Sequence, residues 1–425
     1  MPLSRGLGRV ESSELHNRSN RIDHWQRFKT GDFGQKWNSS KLIVREGRDA
    51  IAPLLELLND PAVDCETHWF TIRALGHFPE PDVIAAIARQ IDDTADYVNR
   101  TAEQSTELSS FAIETLAAMG AAAIDILSQL LTYPERRLLA AKALNQVRSS
   151  GVIPAMVSVA DDENAEVRYY AIDALGSFHS DLVTPVLLSA LSDPSAAVRK
   201  SAVMSLGRRQ DLQTPHQLSH RLQPLLWDVN LSVSCQTALA LGRLGDGDNL
   251  DALQQVLVSA HTPIALRIDT VRALEWYCDR SDLTNQTTQR AFAVLNSALR
   301  GFSATETDGD KPLNPQEKSQ ILLAIVRVLG ELRQGAIAQQ ATQSLIGYLK
   351  KQPATIIVQA IIMALASLGQ SQAFDALLPL LSHPTDAVPI HAISALKRLD
   401  PEHSFERASA YLEDHGSQAN VLQFW

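Results

Sequence analysis

The 425-residue sequence has few cysteines and no long apolar segment, and each shortage excludes a class of protein. Cys65, Cys235 and Cys278 lie too far apart for a C-x-x-C site and are too few for a disulfide scaffold, so we expect reduced thiols in the cytoplasm. No apolar segment approaches the roughly 18 residues that a membrane helix needs, and the N-terminal residues lack the apolar core of a secretion signal. The sequence therefore predicts a cytoplasmic protein without a membrane span.

Positive charge is also scarce, because 38 lysine and arginine residues face 48 aspartate and glutamate residues, which gives a formal net charge of −10. Binding to a nucleic-acid backbone needs clustered positive charge, so no nucleic-acid partner is expected. G-x-S-x-G, P-loop and dinucleotide motifs are missing, and no catalytic residue can be named. His216 and His220 are spaced to share a helix face, but no acidic or thiol neighbour completes a metal site, so no metal ligand is predicted.

The sequence does contain an internal repeat. Residues 161–176 are typical of a turn followed by a helix, with capping oxygens at the start and an apolar stripe that ends at Leu175. A second copy ends at Gly207, 31 residues after Gly176. We call the residue after the final leucine of each copy, or after Val44 in the first copy, its marker. Eleven markers follow from this pattern, at Arg45, Gly76, Ala117, Asn145, Gly176, Gly207, Gly242, Glu275, Gly330, Gly369 and Lys397.

Each copy is predicted to contain an outer helix, a turn with aspartate or proline, and an inner helix that ends near its marker. Recurrence at this period is typical of stacked helical pairs, so the sequence predicts an all-α solenoid, a right-handed superhelix of about eleven helix pairs. The solenoid would cover residues 31–400, with insertions near 92–107 and 302–319. Residues 1–30 are predicted to be a disordered or loosely packed tail. Residues 401–425 are predicted to be a cap or a docking tail that ends in an aromatic pair.

Copies such as VRYYAIDALG, VRKSAVMSLG and HPTDAVPIHAISALKRL resemble HEAT repeats of the short bacterial type. They are similar to the repeats of the phycobilisome-lyase HEAT-like family, which includes cyanobacterial bilin lyases of the E/F type. The resemblance covers about residues 36–400 and implies a HEAT-like α-solenoid. It also implies a scaffold that binds a client protein, such as a phycobiliprotein subunit, on its concave face and assists cofactor attachment or assembly.

Two alternatives for the function remain open at this stage. The first is a phycobilin lyase, which would bind an open-chain tetrapyrrole transiently and transfer it to a cysteine of the client. The second is an adaptor for another assembly system, such as iron–sulfur cluster biogenesis. Many proteins with such repeats bind partners without any bilin chemistry, so the repeats alone do not select among these functions.

Candidate binding residues come mainly from two positions of the inner helix, three residues before the marker and one residue after it. Arginine at these positions in an acidic protein can bind carboxylates, such as bilin propionates or an acidic partner surface, and aromatic rings beside it suit a tetrapyrrole or a protein hot spot. Arg243, Arg272 and Trp276 are expected to share one groove wall. The predicted binding residues are Trp69, Arg73, Tyr169, Arg208, Arg243, Arg272, Trp276 and Arg327.

A structural role is the alternative for the same face. Glu114, Lys142 and Asp173 alternate in sign along successive copies, which favours weak ion pairs between repeats. Large aromatic residues at helical spacing are also more often part of a core than of a binding site.

Overall fold

The computed structural model of the chain describes residues 23–91, 101–279, 285–303, 314–333, 335–415 and 419–425. Regular structure in these ranges is entirely helical, and no strand occurs in them. The chain divides into two compact units, Met1–Ala190 and Leu191–Trp425.

The first unit alternates outer and inner helices. Its helices are α1 (23–30), α2 (Phe33–Arg45), α3 (Ile51–Leu58), α4 (Cys65–Leu75), α5 (Pro81–Arg89), α6 (Ala102–Ala118), α7 (Ile124–Leu130), α8 (Pro134–Gln146), α9 (Ile153–Ser158), α10 (Ala165–Leu175) and α11 (Val183–Ser189). Short 3₁₀ turns at Gly47–Ala50, Gly120–Ala123 and Ser150–Val152 lead into α3, α7 and α9. The even-numbered helices are the inner helices, and each packs against the next.

The second unit continues the same alternation. Its helices are α12 (Ala196–Leu206), α13 (Gln213–His216), α14 (Leu218–Leu222), α15 (Leu231–Leu244), α16 (Leu250–Val258), α17 (Ile264–Asp279), α18 (Asn285–Ser303), α19 (Pro315–Glu331), α20 (Gly335–Leu349), α21 (Thr355–Leu368), α22 (Gln372–Leu377), α23 (Ala387–Leu399) and α24 (Ser404–Asp414). The inner helices here are α12, α15, α17, α19, α21 and α23, and they also pack in sequence order.

The inner helices found in the described ranges number eleven and coincide with the eleven predicted copies. The leucines that precede the markers are the reason, because their side chains are at most 4% exposed and fill the space between the inner and outer helices. Burying one such side chain contributes roughly 1.5–3 kcal/mol, so a recurring leucine fixes each inner helix in the same register. The prediction of an all-α solenoid is confirmed.

Glycines at the markers let neighbouring inner helices of the second unit approach closely. A Cβ atom added to Gly207 would lie 2.5 Å from the Cβ of Ala240, and one added to Gly242 would lie 2.8 Å from the Cα of Ala273. Carbon atoms normally pack about 3.5–4.0 Å apart, so only glycine fits at these two contacts. In each case the marker packs against the residue two positions before the next marker.

This rule shifts one marker. Gly330 packs against Ala364, since an added Cβ would lie 2.6 Å from the Cβ of that alanine. The equivalent marker of α21 is therefore Ala366, and Gly369, which the leucine pattern selects, lies almost one helical turn later. Gly369 instead ends α21 in the left-handed conformation, with φ of 66°.

Ion pairs between consecutive copies add a second link. The ammonium group of Lys36, which is almost fully buried, lies 3.1 Å from Asp64, and Arg137 lies 2.7 Å from Asp162. In the second unit, Arg199 makes a two-point contact with Asp228, with N–O distances of 2.7 and 2.8 Å. Asp64 and Asp228 belong to the turns before the next inner helices. Each pair therefore ties one inner helix to the start of the next.

The predicted insertions extend too far into the inner helices. Thr101 caps α6 by accepting a hydrogen bond from the backbone of Gln104, so the helix begins at Ala102; Asn314 caps α19 in the same way. The first turns of α6 and α19 therefore belong to the solenoid. Residues 92–100 and 304–313, the remainder of the two insertions, lie outside the described residues.

The structure describes parts of both predicted terminal segments, residues 1–30 and 401–425. Helix α1 (23–30) packs Phe28 completely out of solvent, while residues 1–22 lie outside the described ranges. At the other end, the ring of Trp425 contacts the ring of Phe405 at 5.9 Å, whereas Phe424 is 55% exposed. None of the described helices is both long enough and apolar enough to cross a bilayer.

Candidate functional site

A groove of about 540 Å³ lies on the inner helices α12, α15 and α17 of the second unit. We call it the arginine groove, and its lining residues are Gly207, Arg208, Gln210, Arg243, Trp276 and Asp279. Arg208, Arg243 and Trp276 each follow the marker of their copy, so the close helix packing at Gly207 and Gly242 places the three side chains side by side.

Contacts inside the groove hold the central arginine. The guanidinium carbon of Arg243 lies 5.1 Å from the ring centre of Trp276, a cation–π distance. Gln210 donates a hydrogen bond of 3.0 Å to the carbonyl oxygen of Arg243, and Arg208 donates one of 3.2 Å to the carbonyl oxygen of Met204. The guanidinium group of Arg208 remains exposed at the mouth of the groove.

The electrostatics of the groove favour an anion. Burial lowers the pKa of Arg243, and the neighbouring positive charge of Arg208 lowers it further. Arg243 nevertheless keeps its charge at neutral pH, because the ordinary pKa of an arginine lies far above neutrality. Asp279 supplies one carboxylate at the rim, so the lining carries two positive charges and one negative charge.

Arg272 does not line this groove, which differs from the expectation that it would share a wall with Arg243. It lies four residues before Trp276 on α17, hence one turn away on the same face, and its guanidinium nitrogen is 3.6 Å from Asp269. Side chains at the same distance from the marker meet across helices. Those that differ by four residues are separated along the helix axis.

Arg327 lies in a second groove of the same unit, of about 360 Å³, together with Arg398 and Met363. Between the two grooves stands Glu275, the marker of α17. Burial raises its pKa, as do the nearby carboxylates of Glu331 and Asp279, whereas Arg272 and Arg327 lower it.

Two other predicted residues, Trp69 and Arg73, belong to an aromatic cluster in the first unit. The ring of Trp69 stacks on Phe111 at 4.6 Å, and the guanidinium carbon of Arg73 lies 4.2 Å from the ring centre of Trp37 and 5.7 Å from that of Trp69. Lys41 also lies over Trp37, at 5.0 Å. The sequence reasoning missed Trp37, although it precedes Trp69 by 32 residues, close to the repeat period.

Tyr169 has a different environment in the same unit. Its ring contacts that of Tyr170 at 5.2 Å, and its pKa is raised by burial and by the carboxylate of Asp173. Asp173 in turn accepts a hydrogen bond of 3.1 Å from Asn145. A negative charge beside Tyr169 makes this position unlike the arginine groove.

Nucleophilic or metal chemistry finds little support in the described residues. Burial raises the pKa of both Cys235 and Cys278 to about 12, so these thiols stay protonated at neutral pH. Gln217 has φ of 45° and ends α13, so His216 and His220 do not share one continuous helix. No cluster of three metal-ligating side chains occurs within the described ranges.

A polar pocket of about 640 Å³ beside α14 is larger than either groove, and several of its polar groups hydrogen-bond to one another, although the buried side-chain nitrogen of Asn249, which also lines it, has no hydrogen-bond partner within the described residues. The carboxylate of Asp246 accepts hydrogen bonds from Gln213 and Ser219, and the hydroxyl of Tyr277 donates 2.8 Å to the carbonyl oxygen of Asp246. These bonds fix the loop that follows α15.

Comparison with known proteins supports the fold. The family of HEAT repeats matches residues 153–229, and no curated protein matches the sequence. Importin beta is similar in structure, with a TM-score of 0.57 and 14% identity over 99% of this chain and 64% of that chain. Kap121p has a TM-score of 0.52 and 14% identity over 89% of this chain and 44% of that chain.

The complex of CpcE and CpcF of phycocyanin lyase from Nostoc sp. PCC7120 is also similar, with a TM-score of 0.30 and 18% identity over 58% of this chain and 93% of that chain. The likeness to importin beta and Kap121p, at 14% identity, establishes only the architecture. The chain is an all-α, HEAT-like solenoid.

Proposed function

We propose that this protein is a HEAT-repeat scaffold that binds a carboxylate-bearing client protein in the arginine groove. The convergence of Arg208, Arg243 and Trp276 in a chain of net charge −10 carries the proposal. Two guanidinium groups held near each other repel, and a carboxylate between them offsets that repulsion. The planar guanidinium fork binds both oxygens of a carboxylate, and the indole ring offers an apolar wall beside it.

Photo-crosslinking tests binding at this groove. The probe is a peptide with one acidic, aromatic anchor, the segment Glu-Phe-Glu, between glycine–serine flanks; we call it the one-anchor peptide. For crosslinking, benzoylphenylalanine replaces its phenylalanine, and mass spectrometry locates the crosslinked residues. Arg208→Gln/Arg243→Gln should raise the half-saturating concentration for crosslinks at the groove at least tenfold. Each lost charge-assisted hydrogen bond is worth about 1.5–3 kcal/mol, and about 1.4 kcal/mol corresponds to a factor of ten.

The matched control is Arg221→Gln/Lys350→Gln, which removes two exposed positive charges on the outer-helix side and keeps the net charge equal to that of the groove variant. It should crosslink like the wild type. Equal half-saturation for the groove variant and the control would overturn the proposal. Intact crosslinking with a large fall in melting temperature would show that the groove arginines are structural.

The finer proposal is that the client is a phycobiliprotein subunit in the cytoplasm and that the scaffold assists attachment of its bilin. Its support is the resemblance of the repeats to the phycobilisome-lyase HEAT-like family and the chemistry of the groove. A bilin carries two propionate carboxylates on a conjugated, planar framework, which suits paired guanidinium groups beside an indole ring.

Mixing the protein with phycocyanobilin tests this finer proposal. A change in visible absorbance that Arg208→Gln/Arg243→Gln abolishes would support bilin binding, and covalent transfer to an apo-phycobiliprotein would support the lyase alternative. No absorbance change and no transfer would overturn the link to bilins while leaving peptide binding in the groove unaffected. If the protein neither binds nor transfers the bilin, co-purification with iron–sulfur assembly proteins in a pull-down would favour the alternative of an adaptor for iron–sulfur cluster biogenesis.

A further inference from the structure

The second groove repeats the construction of the first. It lies on the next inner helices, α19, α21 and α23. Gly330 packs against Ala364 here, in the same way that Gly207 packs against Ala240 at the arginine groove. Its lining residues are Arg327, Gly330, Glu331, Arg333, Ala360, Met363, Ala364, Ser367 and Arg398. Close packing of small residues thus produces two depressions on one row of inner helices.

The rim of the second groove combines positive charge with an apolar surface. The Met363 side chain is 53% exposed, and its flexible thioether adapts to apolar partners of different shapes. Arg333 pairs with Glu331 at 3.1 Å, so these two charges largely offset each other. Arg327 and Arg398 are exposed on the same lining and give the groove an excess of positive charge.

We propose that the second groove binds a second acidic anchor of the same client, so that one extended segment of the client occupies both grooves. This inference rests on the proposed function of the arginine groove. Charge complementarity identifies the occupant, because each groove collects arginines in a chain whose overall charge is −10. An acidic segment is attracted to both grooves and repelled by most of the remaining surface.

The distance between the grooves sets the length of the segment. The first groove centres on α15 and the second on α21, three inner helices later. Packed helices lie about 8–10 Å apart, which places the two centres about 25–30 Å apart. An extended chain covers about 3.3 Å per residue, so at least about eight residues must separate the two anchors.

Glu275 determines the character of the intervening residues. This half-buried carboxylate stands on α17, between the two grooves, and the nearby carboxylates of Glu331 and Asp279 already make its surroundings negative, which together with burial raises its pKa. A further carboxylate of the client at this point would be repelled. The expected segment therefore has two acidic, aromatic anchors joined by uncharged residues.

Isothermal titration calorimetry on the intact chain tests the inference with three probes. The first is the Glu-Phe-Glu one-anchor peptide; the others carry two such anchors joined by three or by ten glycine–serine residues. A three-residue linker reaches at most about 13 Å and cannot span the grooves, whereas a ten-residue linker can. The variants are Arg327→Gln/Arg398→Gln, Arg208→Gln/Arg243→Gln and, as control, Arg221→Gln/Lys350→Gln, with circular dichroism to confirm folding.

Wild-type protein and the control should bind two one-anchor peptides per chain, and the ten-residue-linker peptide should bind one per chain at least about tenfold more tightly. Arg327→Gln/Arg398→Gln should reduce the one-anchor stoichiometry to one and remove the gain from the linker. A stoichiometry of one in both wild type and this variant, with no effect of linker length, would overturn the second site alone. Loss of one-anchor binding in this variant but not in Arg208→Gln/Arg243→Gln would overturn the proposed function and retain the second site. Absence of any peptide binding to the wild type would overturn both.

Discussion

Replacing Gly207 by alanine tests whether close helix packing builds the arginine groove. The added Cβ would lie 2.5 Å from the Cβ of Ala240 and 3.0 Å from its Cα. Because carbon atoms pack about 3.5–4.0 Å apart, α12 and α15 must separate by roughly 1 Å. The movement would also carry Arg208 away from Arg243, since both follow the glycines that make these contacts.

The magnitude follows from two opposing effects. Overpacking of this kind costs about 1–3 kcal/mol, whereas exchange of glycine for alanine at a site without a clash stabilises by about 0.4–1 kcal/mol. We therefore expect Gly207→Ala to lower the free energy of unfolding by about 1–2 kcal/mol. Gly347→Ala on α20 is the matched control, because no heavy atom lies within 4 Å of the added Cβ, and it should be stabilising.

Urea unfolding combined with hydrogen exchange of the α12 and α15 peptides measures the effect. Ala240→Gly should partly rescue Gly207→Ala, because it removes the nearest atom and leaves the Cα of residue 240 and the carbonyl oxygen of Val203, each at 3.0 Å. At Gly242 the closest atom is the Cα of Ala273, at 2.8 Å, so Ala273→Gly should not rescue Gly242→Ala. Stabilisation by Gly207→Ala equal to that of Gly347→Ala would refute this explanation of the packing.

Two predictions concern carboxylates whose pKa the folded state shifts. Asp228→Asn should lower the free energy of unfolding by about 3 kcal/mol in urea at pH 7, because it removes the carboxylate that makes the two-point contact with Arg199. The hydrogen bond from Arg199 lowers the Asp228 pKa below 3.8, so the wild type should lose this advantage progressively as pH falls below that value. A difference that does not shrink as pH falls below 3.8 would contradict this reasoning. Glu275→Gln should stabilise the protein at pH 7, because burial raises the Glu275 pKa above 4.5 and the ionised form is disfavoured in the folded state. Stability gained by the wild type as pH falls should close the gap by about pH 4, so an equal gap at pH 7 and pH 4 would show that Glu275 is not the cause.

The fold was predictable because its cause is local. Leucines such as Leu175 and Leu206 recur at one register and are fully buried, so the same pattern that fills the core also marks the sequence. Helix starts were less predictable, because α6 begins with polar residues after the Thr101 cap and lacks an apolar stripe in its first turn. The marker of α21 was placed a turn late because Leu368 is as well buried as Leu365.

The candidate site was predictable only in part. The approach of Arg243 to Trp276 could be inferred, since both follow a marker in neighbouring copies. The sequence analysis placed Arg272 beside Arg243 and Trp276, whereas the structure places Arg208 there. The sequence alone could not show this, because it depends on which residues of neighbouring helices lie at the same height along the helix axes. Arg398 escaped notice because the groove that contains it requires the packing of Gly330 on Ala364, a contact between distant residues.

The carboxylate at the marker of α17 has a mechanical consequence. The marker of α15, which packs against α17, is Gly242, whereas the marker of α17, which faces α19, is Glu275. Helix α17 packs less extensively against α19 than against α15. A stack of helices deforms first at its least extensive contact, so bending of the second unit should concentrate between α17 and α19. That joint lies between the two grooves, and its stiffness would set how readily their spacing adjusts to client segments of different length.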